Sequence, residues 1–407
     1  MTRKMKDSGI EWIGEIPEEW EIVQLKRFAT VNNGREIENE VDASEYATPV
    51  FGSGGVFKYT DSYMYDGEAV MFGRKGTLGK PIYVNKRFWT VDTMYYLTYN
   101  QSLVAKYNYY QLLVFNWESH ITQTALPSIV ASEIVSCRFP IPPLDEQMYI
   151  SSYLDTQCAK IDAVLEQTRQ SIEEYKRLKQ AVITRAVTKG IRPGRKMKDS
   201  GIEWIGEVPE EWEVRRIKTL FSLRDERNYL PLEEVNLISL YTDKGVVQHS
   251  DLEKTTGNKA SNADGYKLVY ENDIVVNIIL CWMGAIGRSA YNGVTSPAYD
   301  IYIPSDEVDC RFYHHYFRTS GFSGDCYKRG KGIMAMRWRT YSDQFRDIRV
   351  VMPPIEEQRE ILAYLDMKTA EIEKLIVKKE GFIIELESYK KSLIYECVTG
   401  KREVTQE

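Results

Sequence analysis

Two long stretches of the chain repeat apolar residues at spacings of three or four, the period of a helix with one apolar face. One stretch follows Pro142-Pro143 and the other follows Pro353-Pro354. Each stripe is too narrow to be stable alone in water, so we expect the two helices to pair as an intrachain antiparallel coiled coil. Packing of each helix on its own globular domain is the alternative. The predicted helix-pairing residues are Ile161, Leu165, Ile172, Tyr175 and Val182 in the first helix and Ile372, Ile376, Ile383, Leu386 and Leu393 in the second.

The stretches before the two helices have a different pattern. Short runs rich in aromatic and β-branched residues are separated by turn signals such as Asp66-Gly67 and Asn292-Gly293, which predicts mixed α/β domains with a twisted sheet. At 407 residues the chain exceeds the roughly 250–300 residues that one core usually organises. The fold class is therefore predicted as α+β, with two mixed α/β domains and two long paired helices.

The chain is one unit written twice. Residues Arg3–Ile22 match Arg195–Val214 with two Ile/Val differences, and Pro-Pro-Leu-Asp-Glu-Gln147 matches Pro-Pro-Ile-Glu-Glu-Gln358. The ends of the two units match while their middles diverge, which indicates one scaffold with two different surfaces. The expected segments are a first domain at 1–143, a helix at 144–190, a linker at 191–199, a second domain at 200–354, a helix at 355–400 and a tail at 401–407.

Four tryptophans belong to the repeated entry segments at the start of each unit. We expect them to anchor each segment to its own domain, although a docking surface used twice remains open. They are Trp12, Trp20, Trp204 and Trp212.

No catalytic constellation is found. The segment Gly73–Pro81 resembles a phosphate-binding loop, but it has Arg74 where a glycine is needed and Pro81 where Ser or Thr is needed. The Pro-Pro pairs lack the preceding Asn or Asp of an adenine methyltransferase motif. A cluster of possible metal ligands lacks paired ligands at short spacing, so no metal is expected. It comprises Cys310, His314, His315 and Cys326.

Neither a membrane span nor a secretory signal is found in the sequence, so the cytoplasm is the expected location. The formal net charge is −6, yet phosphate attraction depends on the local potential, so a basic surface is compatible with an acidic chain. The distribution of the basic residues therefore matters more than their sum.

Clusters of basic and aromatic residues are the candidates for DNA binding, because Arg recognises guanine edges and Lys neutralises phosphates. Ordinary solvated loops are the alternative for each cluster. Arg288 is included because Gly284–Arg288 matches Gly76–Lys80 in the sequence. The candidates are Ser53, Lys58, Arg74, Lys75, Thr77 and Lys80 in the first domain and Arg288, Lys328, Arg329, Lys331, Arg337, Trp338 and Arg339 in the second.

In its repeated entry segment, its two Pro-Pro-x-x-Glu-Gln elements and its Val-Thr endings at 187–188 and 398–399, the chain resembles the specificity subunits of type I restriction-modification enzymes. The resemblance covers essentially the whole chain. It implies a non-catalytic subunit with two target-recognition domains in pseudo-twofold arrangement. The implied partners are double-stranded DNA, two methyltransferase subunits that hold S-adenosylmethionine for adenine N6 methylation, and restriction subunits that use ATP and Mg. No cofactor is expected in this chain.

The length of the helices has a consequence for the target. Roughly 30–44 helical residues form a spacer of about 45–65 Å, so the target should consist of two different half-sites about one helical turn apart. A coiled-coil scaffold protein without sequence-specific DNA binding is the alternative function.

Overall fold

The structure, a computed structural model, describes residues 3–75, 78–122, 127–249, 262–332 and 338–404. The chain divides into two compact units. The first comprises residues 1–170 and 380–407, and the second comprises residues 171–379. Each unit therefore contains one mixed α/β domain and a part of both long helices.

The first domain is built on a four-stranded antiparallel sheet of order β4-β10-β7-β8, beside a three-stranded sheet of order β6-β5-β9. Its strands are β1 (Met5–Asp7), β2 (Glu15–Pro17), β3 (Glu21–Gln24), β4 (Ala29–Asn33), β5 (Thr48–Gly52), β6 (Gly55–Thr60), β7 (Glu68–Gly73), β8 (Ile82–Asn85), β9 (Trp89–Thr90), β10 (Met94–Tyr99) and β11 (Arg138–Ile141). Its helices are α1 (Ala105–Leu113) and α2 (Ala131–Ser136), with 3-10 turns at Leu25–Arg27 and Trp117–His120.

The central strand β7 is apolar along most of its length because both faces of the sheet are covered. Val70 and Phe72 point into the larger core, which includes α1, whereas Ala69 and Met71 point into a smaller core on the other face. This is the two-residue alternation of a strand. A strand fixed on both faces gives a rigid origin to the loop that follows it.

The second domain repeats this plan, because its four-stranded antiparallel sheet has the order β15-β22-β19-β20. Its strands are β12 (Met197–Asp199), β13 (Glu207–Pro209), β14 (Glu213–Arg216), β15 (Phe221–Arg224), β16 (Ile238–Tyr241), β17 (Gly245–Gln248), β18 (Lys267–Val269), β19 (Ile274–Asn277), β20 (Ile286–Arg288), β21 (Gly293–Thr295), β22 (Tyr299–Pro304) and β23 (Arg349–Met352). Its helices are α4 (Ile217–Leu220), α5 (Cys310–Phe317), α6 (Ser320–Arg329) and α7 (Ser342–Arg346), with 3-10 turns at Leu232–Glu234 and Cys281–Met283.

The long helices are α3 (Leu144–Lys189) and α8 (Ile355–Val398). In the first unit, Asp162 pairs with Lys390 at 2.6 Å and Arg169 pairs with Glu387 at 2.7 Å. In the second unit, Lys179 pairs with Glu373 at 2.7 Å. As the residue number increases along α3, the number of its partner on α8 decreases. The two helices are therefore antiparallel, and the predicted pairing is confirmed.

The predicted helix-pairing residues are all at least partly shielded from solvent. Ile161, Leu165, Ile172, Ile372, Ile376 and Leu393 are buried, and Tyr175, Val182, Ile383 and Leu386 are partly buried. The sequence pattern missed Ile183, which is buried in the core of the second domain together with Ala186 and Val187. The apolar face of α3 is wider there because the helix also packs on the domain.

The repeated Glu-Gln element joins each long helix to its entry segment and domain. Glu146 accepts hydrogen bonds from Arg3 at 2.7 Å and from the Trp20 indole at 3.0 Å, and Glu357 pairs with Arg195. These bonds hold the start of each helix against a repeated entry segment. The predicted anchoring role of the tryptophans is consistent with this packing, because Trp20 and Trp212 are fully buried.

The glutamine of the same element, and an aspartate eight residues after it, fasten each long helix to the short helix of its domain. The Gln147 side chain accepts from the Val104 backbone N–H at 2.9 Å, and Gln358 accepts from that of Asp309 at 2.8 Å. Farther along, Asp155 pairs with Lys106 of α1 at 2.7 Å. Asp366 pairs with Arg311 of α5 at 2.6 Å. The glutamate and the glutamine of the repeated element thus both have a packing role.

Neither a membrane-spanning helix nor a cluster of metal ligands is found among the described residues. No helix there is long and apolar enough to cross a membrane. No group of three or more His, Cys, Asp or Glu side chains there could hold a metal ion.

Candidate nucleic-acid interface

In the first domain, two loops meet at the end of the central strand β7. We call residues 74–81 turn 1 and the antiparallel bridge between Thr122 and Ser128 hairpin 1; residues 76–77 and 123–126 lie outside the described part. The Ile129 N–H, directly after hairpin 1, donates to the Arg74 carbonyl oxygen at 3.0 Å, and Lys75 forms a β-bridge with Ser128. The Thr122 N–H donates to the Ser128 carbonyl at 3.0 Å and closes the hairpin.

The second domain has the same pair of loops. We call residues 278–285 turn 2. We call the antiparallel bridge between Lys331 and Arg339, with the adjoining Gly332 and Trp338, hairpin 2; residues 333–337 lie outside the described part. The Thr340 N–H donates to the Ile278 carbonyl at 2.9 Å, as Ile129 does to Arg74. Lys331 and Arg339 exchange backbone hydrogen bonds of 2.8 and 3.0 Å. Each domain therefore presents one turn joined to one hairpin at the end of its central strand.

The structure corrects one correspondence drawn from the sequence. Gly284–Arg288 is not equivalent to Gly76–Lys80, because Arg288 lies on strand β20 opposite Ile274 whereas Lys80 lies in turn 1. The Arg288 guanidinium also bonds to Asn272 at 2.7 Å and to Glu271 at 3.2 Å. The sequence comparison matched Gly284 with Gly76. In the structure Gly284 has a positive φ, as Gly79 does among the described residues of turn 1, so Gly284 corresponds to Gly79 instead.

Several predicted DNA-binding cations already have partners. Lys328 pairs with Glu203 at 2.6 Å, and Lys58 pairs with Glu40 at 2.7 Å. Arg329 lies 3.7 Å from Asp347. These exposed pairs are weak and can exchange partners, but each carries a carboxylate that a phosphate would have to displace.

Four predicted cations are exposed and form no ion pair or side-chain hydrogen bond with the described residues. They are Lys75, Lys80, Lys331 and Arg339. All four belong to the turns and hairpins defined above. Arg74, also in turn 1, is partly buried with its guanidinium 5.5 Å from the centre of the Tyr95 ring. The predicted cations that remain available to a polyanion, among the described residues, therefore lie on these loops.

The other candidates lie elsewhere or play a supporting part. Ser53 is in the turn of the β5–β6 hairpin, on a different sheet, and Thr77 and Arg337 lie outside the described residues. The Trp338 indole donates to the Tyr327 carbonyl at 3.1 Å and stacks on the Tyr327 ring at 4.9 Å. Tyr327 in turn contacts Trp282 of turn 2 at 5.6 Å. This aromatic ladder braces hairpin 2 against turn 2.

Comparison with known proteins gives the family. A model described as the type I restriction modification DNA specificity domain matches residues 17–174 and 209–380, once in each half of the chain. The chain belongs to this family. The resemblance found in the sequence is thereby confirmed.

Relatives of this specificity family are similar over different lengths. The EcoDI specificity subunit of Escherichia coli is 20% identical over 419 residues, covering 95% of this chain and 90% of the relative. The MjaVIII specificity subunit of Methanocaldococcus jannaschii is 22% identical over 227 residues, covering 53% of this chain and 52% of the relative. The second match thus spans about half of that relative. Specificity subunits are non-catalytic.

Solved structures of this family share the fold. A chain solved in work on complex assembly and conformational transition of the type I restriction-modification system has a TM-score of 0.68 at 13% identity, covering 95% of this chain and 99% of that chain. The HsdS subunit from Thermoanaerobacter tengcongensis has a TM-score of 0.51 at 13% identity, covering 95% and 98%. The predicted fold class, α+β with two domains and long helices, is confirmed.

Within this family member, sequence reasoning missed hairpin 1 as a candidate. Its described residues include Thr122 and Ser128, which carry hydroxyls rather than charge. The signal was present in the internal repeat, because Ile129 precedes Pro142-Pro143 by the same number of residues as Thr340 precedes Pro353-Pro354. A search for basic residues could not find a polar loop.

Proposed function

We propose that this specificity subunit reads a bipartite, asymmetric DNA target, with one half-site for each recognition domain, residues 1–143 and 200–354. The observation that carries the proposal is the pair of equivalent turns and hairpins, which share a backbone arrangement and differ in side chains. Lys75 and Lys80 in one domain and Lys331 and Arg339 in the other are exposed and lack ion pairs among the described residues. Such cations suit phosphates and base edges.

The proposed partners supply the chemistry that this chain lacks. Two methyltransferase subunits would bind S-adenosylmethionine and methylate adenine at N6. Where restriction subunits are present, they would use ATP and Mg to cleave unmodified DNA. The repeated entry segments and long helices give two similar surfaces to which a repeated partner could dock. The chain itself would supply sequence recognition only.

The test is a map of methylated adenines in cells that express the chain with its methyltransferase subunit. We expect a target in which two specified half-sites flank an unspecified spacer. Residues 23–140 are then exchanged for the corresponding segment of a relative, and only one half of the target should change. The matched control exchanges a segment of α3 for the corresponding segment of the relative without changing the length of the helix. It should leave the target unchanged.

Two outcomes would refute the proposal. One uninterrupted motif would contradict a bipartite target. Methylation without any sequence preference, or a preference unaffected by the exchange of residues 23–140, would favour the scaffold alternative.

A further inference from the structure

Turn 2 exposes apolar side chains, whereas turn 1, in the equivalent place of the first domain, exposes cations. Met283 is 52% exposed and Leu280 is 36% exposed, whereas turn 1 carries the exposed Lys75 and Lys80. The two turns follow equivalent central strands and contact equivalent hairpins. The described residues of turn 1 expose no large apolar side chain, since Leu78 is partly buried against the core of the first domain.

Turn 2 is held rigid by its own hydrogen bonds. The Asn277 side-chain oxygen accepts from the Ile279 and Leu280 N–H groups at 3.0 and 3.3 Å, and the Ala285 N–H donates to the Leu280 carbonyl at 3.1 Å. The Trp282 indole donates to the Ile279 carbonyl at 2.9 Å. With the Cys281 side chain fully buried between them, Leu280 and Met283 are held in water by a preorganised backbone. Preorganised apolar groups favour binding because little entropy remains to be lost.

The charges beside turn 2 identify the kind of partner. Hairpin 2 is bonded to turn 2 through Thr340 and Ile278, and it carries Lys331 and Arg339, exposed and without ion pairs among the described residues. A partner that complements both features must be polyanionic and must also offer a small apolar group. The major groove of DNA has both, because the 5-methyl group of thymine lies between the phosphate backbones.

We propose that Met283, supported by Leu280, contacts the methyl group of a thymine in the half-site read by the second domain. Arg339 and Lys331 of hairpin 2 hold the neighbouring backbone and base edges of the same half-site. This inference rests on the proposed function and adds a specificity-determining residue to it.

The test measures binding of target duplexes to the full chain purified with its methyltransferase subunit. Each thymine of the second half-site is replaced in turn by deoxyuridine, which lacks only the methyl group. We expect the unmodified chain to lose about fourfold in affinity at one position, the value of one methyl group removed from water. Met283→Ala should lose a similar factor on thymine DNA and nothing further on the deoxyuridine duplex at that position.

The controls separate failure of this inference from failure of the proposed function. Leu230→Ala removes a leucine that is 53% exposed elsewhere in the same unit, and it should leave affinity and thymine dependence unchanged. If the unmodified chain prefers its target over a scrambled duplex but Met283→Ala shows no coupling to any thymine methyl, only the methyl contact is refuted. If no duplex is preferred, the proposed function fails. If Met283→Ala weakens assembly with the methyltransferase subunit instead of DNA binding, turn 2 is a protein contact and the inference is overturned.

Discussion

In the two recognition domains, the predicted DNA-binding cations that have no partner among the described residues lie on different loops. In the first domain the exposed lysines, Lys75 and Lys80, are in turn 1, and the described ends of hairpin 1 are polar. In the second domain the cations are in hairpin 2, at Lys331 and Arg339, and turn 2 is apolar. The backbone contact between turn and hairpin is nevertheless the same. A duplicated scaffold can therefore change what it recognises when charged and apolar side chains are exchanged between two loops that remain joined.

The domains also differ in the polar groups that hold them together. The first Arg–Glu anchor, between Arg3 and Glu146, keeps side-chain exposures of 18% and 20%, whereas the second, between Arg195 and Glu357, keeps 9% and 3%. Removing one charge of a buried ion pair costs more free energy than removing one charge of an exposed pair, because the remaining charge is left in a poorly solvated place. The same Arg–Glu pair is thus expected to contribute differently to the free energy of unfolding in each unit.

The largest expected effect tests this difference in burial. Glu357→Gln should destabilise the chain by about 3–5 kcal/mol because Arg195 loses its buried counter-charge. Glu146→Gln should cost less, about 1–3 kcal/mol, because Arg3 and Glu146 are more exposed to water. Each arginine keeps a second partner, Glu19 at 2.6 Å from Arg3 and Glu211 at 3.1 Å from Arg195, so this feature does not distinguish the two anchors. Urea unfolding followed by tryptophan fluorescence measures both.

The matched control is Glu360→Gln, which breaks the exposed ion pair with Arg192 at 2.7 Å and should cost about 0–1 kcal/mol. Equal losses for the Glu146 and Glu357 variants would show that burial does not distinguish the two anchors.

The next effect concerns how the two sets of loops bind DNA. Arg339→Ala should cost about 1–3 kcal/mol on the target and relax the preference at one base pair of the second half-site. Lys75→Ala should weaken binding to all duplexes alike and reduce the salt dependence by about one phosphate contact. Binding titrations at several salt concentrations, on target and scrambled duplexes, separate the two results.

Lys328→Ala is the control for that comparison, because the Lys328 ammonium is already held by Glu203 at 2.6 Å. It should change affinity less than either variant. A uniform loss for Arg339→Ala, or a changed base preference for Lys75→Ala, would contradict the assignment of base reading to hairpin 2 and phosphate binding to turn 1.

The smallest effect is a pH dependence specific to the second domain. Burial lowers the pKa of His314 to about 3 and that of His315 to about 4, while the equivalent positions of α1 are Tyr109 and Tyr110. Between about pH 6.5 and pH 4 the unfolded chain binds these protons and the folded chain does not, so stability falls as the pH falls. The loss should be about 1–2 kcal/mol per histidine between pH 7 and pH 5.

His315→Gln removes one of these groups and should reduce the pH dependence of urea unfolding without abolishing it. His249→Gln is a control because His249 lies outside this helix. An unchanged pH dependence in the His315 variant would show that its side chain takes up protons equally well in the folded chain.

The sequence alone determined the elements that depend on local periodicity and on repetition. A narrow apolar stripe such as Ile161, Leu165 and Ile172 requires a partner helix, and the second stripe supplied one; the ion pairs between α3 and α8 show that pairing. The duplicated Glu-Gln element likewise predicted one scaffold used twice, although not which groups Glu146 and Gln147 bond. These features could be predicted because both helix pairing and duplication leave regular spacing in the chain.

Only the tertiary structure decided which loops meet. Lys75 and Ser128 are far apart in the sequence, and the β-bridge between them depends on how β7 and the segment before β11 pack. Glycine matching placed Arg288 in a turn, whereas strand pairing placed it opposite Ile274. The tertiary structure also decided which cations form ion pairs, since Lys328 pairs with Glu203, which lies 125 positions away in the chain. Contacts of this kind leave no periodic trace because they are made by side chains and backbone brought together after the local elements have formed.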